Sequence, residues 1–232
     1  MKSKKRILWF VIGIIIFCGV IGLLYGMFFN VEAKELAKKN LSEVRYNFFV
    51  GSDDISNVSL SSGYRENPYA IDGVHNDMVA FGVVVFRTSL SNVSEPTYEM
   101  TVDDENYQGI MERNPYDNTF VADIEKLVGD DSSVTFKVSI EDDVYTFTLT
   151  NISKDWAVGH TEAFEIGLDA LNDYIQTLRK GNTFKGECYV KIVTDPNNIL
   201  QIYYWYVAVV DTAGNTHAVV IDSSNGKVLS QS

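Results

Sequence analysis

The chain begins with an apolar run that contains no charged residue between positions 7 and 29. At about 1.5 Å per residue, a helix of this length reaches roughly 34 Å, which is enough to cross the hydrocarbon core of a bilayer. Aromatic residues lie near both ends of the run and basic residues precede it, which favours a cytoplasmic N-terminus. The sequence therefore predicts a cytoplasmic tail over residues 1–6 and a single-pass transmembrane helix over residues 7–29, with the later domains extracellular in a protein of the cell membrane.

Two further interpretations of this run stay open. A cleaved signal peptide is the alternative to a retained signal-anchor, but signal h-regions span only about 7 to 15 residues, so the anchor is favoured. Gly22 and Gly26 form a GxxxG pair, through which two anchors could pack as a weak homodimer.

Charge and cysteine content exclude several classes of protein. The 232 residues carry a formal net charge of −12, so the chain would repel nucleic acid, and no nucleic-acid partner is predicted. The two cysteines are Cys18, inside the apolar run, and Cys188, so no disulfide can form within the remaining chain. A disulfide-stapled secreted scaffold is therefore excluded, and Cys188 is expected to be an inert, half-buried thiol.

Residues 30–45 predict a helical stalk, and residues 46–152 predict an all-β domain. In the stalk, apolar residues are scattered among Glu and Lys in a helix-forming context. The following segment has short runs with alternating polarity, for example residues 134–140 and 144–150, joined by a turn at Glu141. The number and spacing of these runs predict an immunoglobulin-like β-sandwich.

The periodicity becomes helical after residue 160. One apolar stripe at helical spacing predicts a helix, and its members are Phe164, Leu168, Leu171, Ile175 and Leu178. Three antiparallel strands and a short last one are predicted after it. Residues 160–232 therefore predict an α+β domain, in which a helix packs on a sheet of three or four strands.

This second domain resembles the PepSY or PepSY-like family, a small cystatin-like fold, over residues 160–230. The resemblance lies in a helix followed by the strand residues 206–211, a turn at Gly214, the strand residues 219–222 and the closing segment Asn225-Gly226-Lys227-Val228-Leu229. It implies an extracytoplasmic bacterial protein that holds, inhibits or regulates a protease or another cell-envelope enzyme. It transfers no catalytic residue.

The aromatic run Tyr203-Tyr204-Trp205-Tyr206 is the candidate partner surface. Strand alternation sends Tyr204 and Tyr206 to one face of the sheet and Tyr203 and Trp205 to the other. One pair can meet the helix, and the other pair would contact either a partner protein or the β-sandwich.

No catalytic, cofactor or metal signature is found. His75, His160 and His217 lie in no paired-ligand spacing, and there is no GxSxG elbow, phosphate loop or dinucleotide motif. Acidic clusters recur between the predicted strands, where turn chemistry and edge protection already explain them.

These observations predict a non-enzymatic, membrane-anchored binding or regulatory protein that acts on a cell-envelope protein or protease. Two alternatives stay open. The first is an envelope hydrolase with a site at the cleft between the domains, and the second is a surface protein that binds calcium or a polysaccharide.

Overall fold

A computed structural model describes residues 32–117, 119–194 and 202–232. Strands make up 53% of the structure and helices are few. The helices are α1 (Ala33–Lys39), α2 (His160–Ala170) and α3 (Asn172–Leu178), with one short 3₁₀ helix at Ser153–Asp155.

Fifteen strands are described in chain order. The first nine are β1 (Leu41–Ser52), β2 (Ser56–Glu66), β3 (Met78–Thr88), β4 (Thr97–Val102), β5 (Glu105–Ile110), β6 (Glu112–Arg113), β7 (Phe120–Ile124), β8 (Val134–Ile140) and β9 (Asp143–Asn151). The others are β10 (Arg179–Lys180), β11 (Thr183–Phe184), β12 (Gly186–Thr194), β13 (Tyr203–Asp211), β14 (Thr216–Asp222) and β15 (Val228–Gln231).

Thirteen of these strands form one sheet, in which β1 is the shared element. Its main path runs β15-β14-β13-β12-β1-β2-β3-β7-β6, while β9, β8, β4 and β5 branch from β1. The pair β10 and β11 forms a separate small sheet. Strand β5 comes close to β7, so the half of the sheet formed by β1–β9 is nearly closed.

Two large hydrophobic cores lie along this sheet, and a third, small cluster contains Tyr189. The first fills the nearly closed half and includes Phe49, Leu60 and Phe136. The second lies between the helices and β12–β15 and includes Val44, Leu168 and Trp205. Strand β1 contributes to both cores, because Val44 belongs to the second and Phe49 to the first.

The predicted fold class is wrong. An immunoglobulin-like sandwich has two sheets and a separate α+β domain adds a third, whereas the structure joins these strands in one nearly closed sheet that continues into β12–β15. The physical reason is β1, which pairs with β2 from Glu43 to Ser52 and also pairs with β12 and β9. A strand hydrogen-bonded on both sides to different units joins those units into one sheet.

The predicted single-pass anchor is not supported, and the transmembrane and cell-membrane assignments are corrected accordingly. Residues 1–6, the apolar run at 7–29, and Gly22 and Gly26 lie outside the described residues. Within residues 32–117, 119–194 and 202–232, no helix is long and apolar enough to cross a membrane. The longest has 11 residues, and a spanning helix needs about 20.

The segment predicted as a stalk divides into a short helix and a strand. Helix α1 ends at Lys39, and residues from Leu41 onward belong to β1. Ala33 and Ala37 are fully buried in the second core. Lys34 binds Glu165 and Asp169 of α2, so α1 is packed into the fold by apolar contacts on one side and ion pairs on the other.

The predicted helical stripe is buried, but it spans two helices. Phe164, Leu168, Leu171 and Ile175 are each at most 8% exposed. The stripe is interrupted at Leu171, which ends α2 and precedes α3. The α-type bonds from Leu171 N–H to Gly167 O and from Ile175 N–H to Leu171 O keep the two helices nearly continuous.

Candidate functional site

The sheet forks where β1 changes its neighbour. Strand β1 runs parallel to β12 through the pairs Leu41–Cys188, Glu43–Tyr189 and Val44–Val190. A bulge follows between Arg45 and Asn47. After it β1 pairs with β9 at Phe49 and Val50, so β1 and β12 diverge.

A groove of about 470 Å³ occupies this fork. Its floor is the outer face of β1, β2 and β3, and its wall is the end of β12 with the start of β13. The floor presents short polar side chains, among them Ser59 and Ser61, whereas Val58 and Leu60, which alternate with them, belong to the first core. The polar alternation of β2 therefore gives the groove a hydroxyl-lined floor.

Aromatic rings close the inner end of the groove. Phe48 lies 5.1 Å from the Tyr203 ring, and Trp156 stacks on Tyr203 at 5.9 Å between ring centroids. Phe48 is 7% exposed, and its backbone is held by the 3₁₀ segment, because Phe48 N–H donates to Ser153 Oγ and Phe48 O accepts from Ile152 N–H. Aromatic side chains therefore fill the fork next to the branch point, and the groove lies beyond them.

Basic side chains border the groove. Arg45 Nε lies 2.6 Å from Glu43 Oε1, and Lys191 Nζ lies 3.2 Å from the same oxygen. Arg87 Nη2 is 3.6 Å from Asp117 Oδ2, longer than an ordinary hydrogen bond. The lining of the groove therefore includes two arginines and one carboxylate, in a chain whose net charge is −12.

The four aromatic residues of the predicted partner surface lie on two opposite faces of the sheet, as strand alternation requires. Trp205 is 1% exposed in the second core, and its indole N–H donates to Val158 O at 2.8 Å. Tyr203 lies on the same face and reaches the groove, while Tyr204 and Tyr206 lie on the opposite face. The four rings therefore do not form one surface.

Tyr206 lines a second, shallower cleft of about 240 Å³ on the outer face of β12–β14. The segment 67–77 between β2 and β3 lies across this face and places Tyr69 6.1 Å from the Tyr189 ring. Buried Glu187 holds the segment, because it accepts hydrogen bonds from Asp72 N–H at 2.8 Å and Gly73 N–H at 3.1 Å.

The three histidines lie outside the groove. His75 Nδ1 is 2.9 Å from buried Glu66, and His160 stacks on Tyr46 at 4.5 Å, where burial lowers its pKa. His217 lies 3.8 Å from the Tyr174 ring. None of the three lines the groove. Among the described residues, no group of three or more His, Cys, Asp or Glu side chains is placed to hold a metal ion.

Cys188 is fully buried in the second core, where burial and the neighbouring Glu187 raise the pKa of its thiol. A buried thiol of this kind is a poor nucleophile.

Sequence reasoning missed the residues of the groove. Arg45 fell inside the predicted stalk, and Ser59 and Ser61 were recognised only as part of a strand. The alternation of Val58 and Leu60 with these serines signals a polar strand face, but only the pairing of β1 shows that this face borders a groove.

Comparison with protein families, with curated proteins and with solved structures gave no match. The resemblance of residues 160–230 to PepSY domains therefore stays a prediction.

Proposed function

We propose that this chain is a non-enzymatic binding protein whose ligand is a segment of a partner protein held in the groove between β1 and β12. The observation behind this proposal is the groove itself, which combines aromatic rings, arginines and hydroxyl groups in one concave surface. Arginine and aromatic side chains are enriched in protein interfaces.

The size of the groove fits a short polypeptide segment. Its volume of about 470 Å³ falls in the range of ligand sites, which is roughly 300 to 1,000 Å³. Because the groove is bounded by two branches of a sheet that β1 joins, its walls are fixed before a ligand arrives. A preformed site loses less conformational entropy on binding than a flexible one.

The chemistry of the groove supports binding rather than hydrolysis. A hydrolase at this junction would use a positioned base, yet the lining carboxylate Asp117 already accepts hydrogen bonds from Thr119 N–H and Thr119 Oγ1. His75 and His160 lie elsewhere. The assignment of the partner to the cell envelope stays a prediction.

A random peptide library displayed on phage tests the proposal when it is selected against the full chain. We expect enriched peptides whose affinity falls at least tenfold in Ser59→Trp, since an indole at this position fills the floor of the groove. Thr146→Trp is the matched control, because Thr146 is an exposed hydroxyl residue of β9 outside the groove. Circular dichroism would establish that both variants fold.

Two results would overturn the proposal. One is a selection that enriches no peptide. The other is a set of peptides that bind the wild type and Ser59→Trp equally well.

A further inference from the structure

The backbone N–H and C=O groups of every second residue of strand β12 point toward the side on which β1 and the fork lie. Cys188 N–H donates to Asn40 O at 2.8 Å, on the side of β12 where β1 lies. Backbone groups along a strand alternate between its two neighbours, so those of Val190 and Ile192 point to the same side as those of Cys188.

Val190 still has a partner on that side, and Ile192 does not. The parallel pairing ends at Val44–Val190. Ile192 is opposite Trp205 of β13, and within the described part of the chain no strand pairs with it on the side of the fork. The N–H and C=O of Ile192 therefore form an open edge beside the groove.

The fork cannot close to cover this edge. The bulge between Arg45 and Asn47 turns β1 away from β12, and the Phe48 backbone is held by Ser153 and Ile152. Strand β1 is also paired along its length with β2. Within residues 32–117, 119–194 and 202–232, no backbone group is therefore free to pair with Ile192, and the edge is open to a second polypeptide.

Charge indicates which side chains that polypeptide has. Arg45 and Arg87 line the groove on either side of the serine-lined floor, since Arg45 pairs with Gly63 of β2 and Arg87 pairs with Asn57. Asp117 is the one carboxylate among the residues that line the groove, so this lining carries one more positive than negative charge. A strand in the groove directs every second side chain to the floor, where acidic groups would meet the arginines.

We propose that the ligand is an extended, acidic polypeptide segment that adds as a strand to the open edge of β12 at Ile192 and directs alternate carboxylates toward Arg45 and Arg87. This inference rests on the function proposed above and specifies the class of its ligand. Addition of a strand to a sheet edge is a recurring mode of peptide recognition, in which main-chain hydrogen bonds supply affinity and alternate side chains supply specificity.

A methylation scan of a selected peptide tests the main-chain part. Each backbone nitrogen is methylated in turn, and affinity for the full chain is measured by fluorescence polarisation. We expect at least one position at which methylation lowers affinity about tenfold or more, with tolerant positions on both sides of it, because strand amides alternate in direction.

Arginine substitutions test the charge part. Arg87→Gln should lower affinity for an acidic peptide about three- to tenfold, and the loss should shrink as salt is raised. Arg65→Gln is the matched control, since Arg65 forms a similar exposed ion pair with Asp123 at 3.0 Å outside the groove.

The outcomes separate the two proposals. If Ser59→Trp abolishes binding but no methylated position matters, strand addition is wrong while groove binding stands. If the selected peptides are not acidic, the assignment of an acidic ligand is wrong while groove binding stands. If Ser59→Trp has no effect, both proposals are wrong.

Discussion

Val44 and Val190 are the last paired residues of the parallel strands β1 and β12, and the sheet forks directly after them. Both valines are buried in the second core, which fixes the branch point. Beyond it, β1 joins the first core through Phe49, while β12 continues with β13. The groove and the open edge at Ile192 both follow from this divergence.

Gly167 sets the distance between α2 and the sheet. A methyl group at this position would lie 2.5 Å from Val207 Cβ, so the helix or the strand would have to shift. Overpacking of this kind costs about 1–3 kcal/mol, which outweighs the gain in helix propensity of at most about 1 kcal/mol. We expect Gly167→Ala to lower the free energy of unfolding in urea by about 1–2 kcal/mol.

Gly129→Ala is the control for this substitution, because the nearest atom to its new methyl group would be Ser132 Oγ at 3.6 Å. Its free energy of unfolding should change by less than about 0.5 kcal/mol. Equal stability of the two variants would show that α2 does not pack on β13 as described.

Trp205 provides a hydrogen-bond donor within the second core. Trp205→Phe removes the donor to Val158 O and leaves that carbonyl without its indole partner, at a cost of about 1–3 kcal/mol in addition to the lost volume. Trp156→Phe is the comparison, since Trp156 packs 5.2 Å from Trp205 but is only half-buried. Denaturant unfolding should show the larger loss for Trp205→Phe, and a reversed order would contradict this role.

The ion pairs between α1 and α2 predict a loss of stability in acid. Hydrogen bonds from Lys38 and then Lys34 hold the pKa of Glu165 below its ordinary value of 4.5. A depressed folded-state pKa adds stability above the unfolded-state pKa, and this stability is lost as the pH falls through the folded-state value. The difference in melting temperature between wild type and Glu165→Gln should therefore be constant near neutral pH and disappear in the acid range.

Glu162→Gln is the matched control, because Glu162 is an exposed carboxylate in the first turn of the same helix. Its effect on melting should not share the acid dependence of Glu165→Gln. Added salt should reduce the Glu165 effect, since the side chain is 41% exposed. If the difference in melting temperature between wild type and Glu165→Gln grew as the pH fell, it would contradict the described ion pairs.

Local patterns predicted the strands and the helical stripe, but not the way in which they join. The alternation around residues 134–140 and 144–150 corresponds to β8 and β9, with Glu141 in their turn. In contrast, the sequence predicts a helix over residues 41–45, which belong to β1. Local propensity carries no information about a pairing partner as distant as Cys188. The site shares this limit, since the faces of Tyr203 and Trp205 follow from alternation but the fork depends on long-range pairing.

Cys188 is predicted to be unreactive in the folded protein. Its thiol is fully buried, and burial raises its pKa, so little thiolate is present or accessible. In a Cys18→Ser background, a thiol reagent such as Ellman's reagent should label Cys188 at least about 100-fold more slowly in buffer than in denaturant. Rapid labelling in buffer would show that the second core opens readily.

Amide hydrogen exchange at Ile192, resolved by NMR with and without a selected acidic peptide, tests strand addition most directly. In the free protein the Ile192 amide should exchange much faster than that of Val190, because Val190 faces β1 and Ile192 faces the open fork. The peptide should slow exchange at Ile192 and leave Val190 nearly unchanged. An Ile192 amide that is already protected in the free protein, or that stays unprotected in the complex, would contradict the account.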